Sequence, residues 1–436
     1  MHAGSATRRG FLTASAVAAA APARATGASE SDPFAATRLQ QALERYASFG
    51  DKASGGPGDD ACGHWLEAEL TSFGFDCRRQ TYSVPYFVPT DVALSSGAVQ
   101  AQLIPQAVVV QTPPGGLSGP LHLLEPNQAE IPRGAIVLVP LPARRWSALK
   151  TPQIMSNLQR AFQQGAAAVV VVTNGPTGEA LALNAPVDRP VFDKPVVIMA
   201  PLHAEPFLKA AREGARGVLT VTGAQGRRSA FNNIGVLSGG HSRTMVVSTP
   251  RSGWFNAVGE RGPGLAVWLG LARWAGARRL PVNLIFLCTS GHEYDNAGGV
   301  AYLEHLAPPP AATVLWAHLG ANVAARDWHE LGPTLTPLSS ADPQRYMVAS
   351  PPLLEAVRTA FAGQPGLQDP YPTSGGAAGE LTHIIAAGYP QVFGIFGAHR
   401  FHHAPSDDLR CVLPAPVANV GRAYARVIEQ AVGAWG

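Results

Sequence analysis

The sequence predicts an α/β fold, a doubly wound and mostly parallel sheet interrupted by a β-rich insert. Three observations predict it. From about residue 229 onward, short apolar runs alternate with helical stretches, the pattern of parallel strands covered by helices on both faces. Between about 86 and 228 the chain turns rich in Val, Pro and Gly, and its apolar runs shorten, which marks a separate segment. Polar side chains recur just past the apolar runs of the C-terminal part, where α/β proteins build their sites. A chain of 436 residues with 46% hydrophobic and 14% charged residues can bury a large core.

The elements follow in order. Residues 35–48 place Leu39, Leu43 and Tyr46 at helical spacing. A Gly-Pro-Gly loop, Gly56-Pro57-Gly58, leads to a helix from about Asp60 to Phe73, stopped by Gly74, and Cys77 to Val84 alternates like a strand. In the middle segment the β runs are Ala107–Gln111, Ala135–Val139, Ala167–Val172 and Val196–Met199, with a helix over Asn157–Gln164. His122 and His203 stand alone there and read as surface or packing residues. Beyond 229, strands are expected at Met245–Ser248, Leu284–Cys288, Thr313–Ala317 and Gln391–Ile395. Helices are expected at Gly264–Ala277, Gly298–His305, Pro352–Phe361 and Pro416–Val432.

Residues 1–25 read as an export leader. Thr7-Arg8-Arg9-Gly10-Phe11-Leu12 is a twin-arginine pattern before a soft apolar stretch, and Ala23-Arg24-Ala25 is a small-x-small cleavage site. The expected destination is periplasmic or extracellular. Removing Arg8, Arg9 and Arg24 leaves a formally neutral chain, so charge gives no argument for nucleic acid or an anionic membrane as partner. No later apolar run approaches the ~18 residues of a membrane span. An oxidising destination lets cysteines pair. Cys62 and Cys77 flank a helix and are the better candidate pair, whereas Cys288 reads as a buried thiol.

The chemistry concentrates in loops that follow strands. These are Thr249-Pro250-Arg251-Ser252, Ser290-Gly291-His292-Glu293, His318-Leu319-Gly320 and His402-His403-Ala404-Pro405-Ser406-Asp407. Gly259-Glu260-Arg261-Gly262-Pro263-Gly264 opens a helix. On one sheet edge these loops converge, and His292, Glu293, His318, His403 and Glu260 make a shell of imidazole and carboxylate that suits zinc. A lone His at a strand end is more often a hydrogen-bonded structural residue, so it is their number that points to a metal.

On these residues the chain resembles the zinc exopeptidases, which include bacterial leucyl-type aminopeptidases, glutamate carboxypeptidases, glutaminyl cyclases and the transferrin-receptor ectodomain. The resemblance covers nearly all of the chain after the leader. Residues 35–85 and 229–436 resemble the catalytic domain, with Asn233–Leu237 as the strand that re-enters it. Residues 86–228 resemble the protease-associated insert, through Arg133–Val139, Gln164–Val170 and Lys194–Ile198. The family's His-x-Asp motif falls on Thr249 and Arg251, so two ligands are absent. Its bridging Asp falls on Glu260, its Glu-Glu pair on His292-Glu293, and its next Asp on His318. Its final His-x-Pro-x-Asp is kept from His403 to Asp407.

The resemblance therefore implies one metal site rather than two, with Glu260, Glu293 and His403 as its set; of the other site's ligands only His318 could partly serve. It implies His292 in the general-base position and Arg251 as a clamp for a carboxylate or oxyanion. Trp254 and Glu380 are candidates to touch substrate. Asp407 is expected to orient the His403 loop or cap the last helix, and His402 to point the other way from His403. The leading reading is an exported hydrolase of a peptide or amide bond with one zinc. The alternatives are a metal-free binding scaffold, which other members of the family exemplify, and a one-zinc acyl transfer such as cyclisation.

Overall fold

The computed structural model describes residues 32–125, 130–331 and 334–433, and the leader expected at 1–25 lies outside them. From Pro33 onward the chain is one compact unit. No helix among the described residues is long and apolar enough to cross a membrane.

A large mixed sheet organises this unit. Its first half holds the parallel strands Val392–Gly397, Thr313–Leu319, Thr244–Pro250 and Asn283–Thr289, in that spatial order. Arg345–Ala349 adds antiparallel to Val392–Gly397, and Tyr371–Pro372 forms the edge. The three middle strands are buried almost end to end, as expected of parallel strands covered on both faces. One face packs on a core that includes Phe286, Met245, Trp268 and Tyr424, and the other on a core of Ile234, Val246, Trp316 and Tyr389.

Two long antiparallel strands, Asp76–Ser96 and Arg216–Leu237, carry the sheet onward. Arg216–Leu219 then pairs with Leu117–Pro120, the start of a second run of parallel strands at Leu117–Leu123, Ile136–Pro140, Ala168–Val172 and Val196–Met199. Helices Pro152–Gln163 and Ala204–Arg212 cover this run, which has its own apolar layers on both faces.

Several expectations change. Ala107–Gln111 is irregular backbone rather than a strand. The strand Leu117–Leu123, the helix Ala204–Arg212 and the hairpin Arg326–Leu331 with Thr334–Ala341 were not legible as elements. All four cysteines are unpaired. Cys62 points into the core, whereas Cys77 meets the same helix at the Glu67 carbonyl and Thr71 hydroxyl. Five residues of helix separate those levels, roughly 7.5 Å of rise, too far for a disulfide.

The helix expected from Gly264 begins six residues earlier and runs over Val258–Arg278. Gly259, Gly262, Pro263 and Gly264 argue against a helix, but every residue from Val258 to Ala272 is buried, so tertiary packing overrides propensity. That early start fixes the position of Glu260.

Candidate active site

The parallel strands ending at Pro250, Thr289, Leu319 and Gly397 release their loops at one edge of the sheet, as the sequence predicts. The helix Val258–Arg278 starts there without a capping side chain of its own, since its N-cap is Ala257 in a left-handed conformation. The cap comes from Asp407, whose carboxylate accepts from Gly259 N at 2.6 Å and Glu260 N at 3.1 Å. Asp407 thus caps this central helix and not the last one, placing an anion at a helix N-terminus. A Cβ at position 259 would lie 2.6 Å from His399 Cε1 and 2.7 Å from Asp407 Oδ1, so the position requires glycine.

Glu260, in the first turn, faces two histidines of the loop after Gly397. His403 sits at φ 61°, and this left-handed kink breaks the alternation that would have turned its neighbour away. His402 consequently stacks on His403, with ring centroids 3.9 Å apart at 20°. His403 Nδ1 lies 2.7 Å from the Ala182 carbonyl, which makes that nitrogen the N–H donor and leaves the Nε2 lone pair free. His402 Nε2 lies 3.1 Å from Ser147 Oγ, leaving Nδ1. The two remaining nitrogens, His403 Nε2 and His402 Nδ1, are 3.4 and 3.8 Å from Glu260 Oε1. Both nitrogens and Glu260 Oε2 are buried without a partner, and Glu260 Oε1 has only the ion pair with Arg261.

The three donor groups are close enough to share a divalent cation once the two stacked rings turn so that both lone pairs face it. One ligand atom from each of Glu260, His402 and His403 lies within 4.8 Å of the other two. A tetrahedral zinc with bonds of about 2.0–2.2 Å sets its ligand atoms roughly 3.3–3.6 Å apart, close to the observed spacings. Each imidazole has its other nitrogen tied down, as metal-binding histidines do. Burial alone would push the Glu260 carboxyl up, but Arg261, then His402 and His403, hold it well below the usual carboxylate range. Burial and the neighbouring His403 hold the His402 imidazole well below its ordinary value, which keeps its ligand lone pair free. A competing cation is already present: Arg261 Nη2 stands 2.7 Å from Glu260 Oε1, with its Nε donated to the Ser252 carbonyl.

Next to this cluster lies a cavity of about 430 Å³ whose wall includes His292, His318, Glu380 and His402. His292 Nδ1 lies 3.8 Å from Glu380 Oε1, and Glu380 also accepts from Thr289 Oγ1 at 2.6 Å. Burial, then Arg261, lower the His292 pKa, so the imidazole is neutral at pH 7. Burial would raise Glu380, but His292 and His318 more than offset it and the carboxyl is lowered.

His318 does not join the Glu260 cluster. Its Nδ1 lies 2.9 Å from Ser248 Oγ, which in turn accepts from Trp316 Nε1 at 2.8 Å. Burial pushes its pKa down to about 4. An imidazole lowered on folding contributes stability that is fully present above its unfolded pKa, near 6.5, and is lost as pH falls towards 4. The urea midpoint of a His318→Asn variant is expected to fall less than the parent's between pH 6.5 and 4. Parallel curves would show that His318 does not carry this dependence.

Other expected site residues are placed apart. Glu293 accepts from Ser54 N, Ser54 Oγ and Ser252 Oγ at 3.1, 2.9 and 2.6 Å. Burial raises its carboxyl, and these hydrogen bonds only partly offset that, so it lacks the cationic surroundings of Glu260. Arg251 is fully buried and spent: it pairs with Asp59 Oδ1 at 2.9 Å and donates to the carbonyls of Phe231 and Cys288 and to Asn233 Oδ1. It is held by these partners and does not line the cavity, contrary to the clamp role expected of it. Trp254 is not on that wall either; its Nε1 donates to Asn184 Oδ1 at 2.8 Å and its ring packs on Tyr294. Sequence reasoning missed His402, Arg261 and Asp59. The doublet His402-His403 was the one available signal for the first; nothing local marks the other two.

No family model and no curated protein matches the sequence. Solved structures do match the fold. An aminopeptidase from Aneurinibacillus sp. strain AM-1 is 15% identical over 91% of this chain and 93% of its own, with a TM-score of 0.66. BSAP, a zinc aminopeptidase from Bacillus subtilis, is 16% identical over 92% and 96%, with a TM-score of 0.70. A peptidase M28 precursor from Shewanella amazonensis is 15% identical over 92% and 97%, also at 0.70. At these identities the chain shares the zinc-exopeptidase fold with them, and the chemistry has to be argued from its own residues.

Proposed function

We propose that the chain is an exported hydrolase of a peptide or amide bond that works with one zinc held by Glu260, His402 and His403. The observation that carries this reading is the convergence of three buried donor groups whose facing atoms have no partner but the Arg261 ion pair, each histidine fixed through its other nitrogen. A zinc bound there supplies Lewis-acid polarisation of the scissile carbonyl and lowers the pKa of a bound water. Of the trio, His402 lines the cavity, which makes that space the nearest one that would take substrate. His292, neutral and backed by Glu380 on its Nδ1 side, is the group to accept a proton at Nε2 and pass it to the leaving nitrogen. Arg261 Nη2 is paired with Glu260 Oε1, whereas Nη1 lacks a hydrogen-bond partner and can steady negative charge developing beside Glu260. With residues 86–228 read as a protease-associated insert, its carbonyl of Ala182 sets the His403 tautomer.

A second reading rests on one observation. Arg261 already neutralises Glu260, so the same pocket can serve as a metal-free binding scaffold. Metal analysis of the purified chain, with turnover assays on aminoacyl and N-acylated peptides, separates the two. One equivalent of zinc, with activity lost to a chelator and restored by zinc, is expected. A chain that takes up no zinc and cleaves nothing refutes the hydrolase. Product masses separate hydrolysis, which adds water, from cyclisation, which does not.

A further inference from the structure

Of the four Arg, Asp and Glu residues on the cavity wall, three are engaged by partners and one is not. Arg145 is bound to Asp342 at 2.8 Å and to the Ala398 carbonyl. Asp295 at the rim is paired with Lys150 at 2.5 Å. Glu380 is engaged by Thr289 and His292. Arg144 is left over. It is exposed, lines the cavity, and has no acidic partner and no side-chain hydrogen bond among the described residues; its guanidinium lies 5.3 Å over the Trp146 ring. Stacking on an aromatic face limits where an arginine head can go and leaves its N–H edge for a planar anion. The wall also offers an aromatic side, Tyr346 packed on Phe396 with centroids 5.6 Å apart. A guanidinium without an acidic partner at the mouth of a partly aromatic cavity attracts anions and rewards one that binds in plane.

We infer that this cavity selects substrates bearing a carboxylate, gripped by Arg144 while the adjoining apolar part rests against Tyr346 and Phe396. The inference rests on the hydrolase reading for its substrate but not for its binding. The carboxylate has two sources, an acidic side chain or a free peptide terminus, and matched peptides distinguish them: Glu against Gln at the same position, and free acid against carboxamide at the same terminus.

With the full chain loaded with zinc, kcat/KM for the carboxylate member of one pair is expected to exceed its amide partner by roughly tenfold or more. The difference should reside mainly in KM and shrink with added salt. Arg144→Gln should collapse that ratio to about one, and Arg144→Glu should invert it. Equal rates for both members, or a ratio that survives Arg144→Gln, overturns the inference while leaving the hydrolase intact. If no peptide is cleaved, the hydrolase reading fails, and calorimetric binding of the same peptides decides the inference alone. Tighter binding of the carboxylate member, lost in Arg144→Gln, supports it, and equal binding refutes it.

Discussion

Replacing Arg251 with Ala is expected to destabilise the protein by about 3–5 kcal/mol, the usual cost of removing one partner from a buried ion pair. Asp59 would be left fully buried without its cation. The carbonyls of Phe231 and Cys288 and the Asn233 side chain would each lose a donor, and Phe231 would lose the guanidinium packed 4.6 Å from its ring centre. These partners tie the strand Arg216–Leu237 and the helix Pro57–Ser72 to the edge of the parallel sheet, so the effect is global. Urea denaturation of Arg251→Ala should show a lower midpoint with little change in slope. Replacing both partners, as Asp59→Asn with Arg251→Met, should recover part of the loss because no lone charge remains. If Arg251→Ala keeps parental stability and loses only turnover, the arginine acts on substrate and the structural role is wrong.

That residue shows how far the sequence can be read. The loop of Arg251 is placed correctly at a strand end, because apolar runs followed by polar loops reflect a local rule about parallel sheets. The partner of Arg251 lies 192 positions earlier, at Asp59, in a helix start that carries no local sign of it. The same holds for Glu293: its position beyond a strand was legible, but Ser54 and Ser252, which take up its carboxylate, come from loops distant in sequence. Glu260 and His403 were legible as candidates because each lies within a motif. His402 was expected to point the other way from His403, which fails because His403 adopts a left-handed backbone. The strand Leu117–Leu123 escaped because Gly119 and Pro120 break its pattern; a Cβ at position 119 would meet the Gly134 carbonyl oxygen at 2.3 Å. What propensity and periodicity cannot supply is the set of long-range partners, and in this site those partners decide which candidate residues remain free for chemistry.

The largest effect on the site itself is expected from His403→Ala. Zinc per chain should fall from about one to near zero, since one of three protein ligands is lost and the remaining pair is flanked by a guanidinium. Glu260→Ala should do the same. Glu293→Gln should retain its zinc, because Glu293 is held by serine hydroxyls and stands outside the trio. Ser147→Ala removes the partner of His402 Nε2 and should weaken zinc binding by about 10–100-fold without abolishing it, the usual cost of losing such a support. Arg261→Met is the discriminating change. If Glu260 serves zinc, removing the guanidinium 2.7 Å from Oε1 frees that oxygen and should tighten zinc binding. If the site is a scaffold without metal, the same change leaves a buried carboxylate unpaired, and the protein should lose stability and still take up no zinc. Calorimetric titration with zinc, alongside urea denaturation of each variant, reads both outcomes directly. Zinc retained by Glu260→Ala and His403→Ala but lost from Glu293→Gln would move the metal to the ligand set that the sequence resemblance implied.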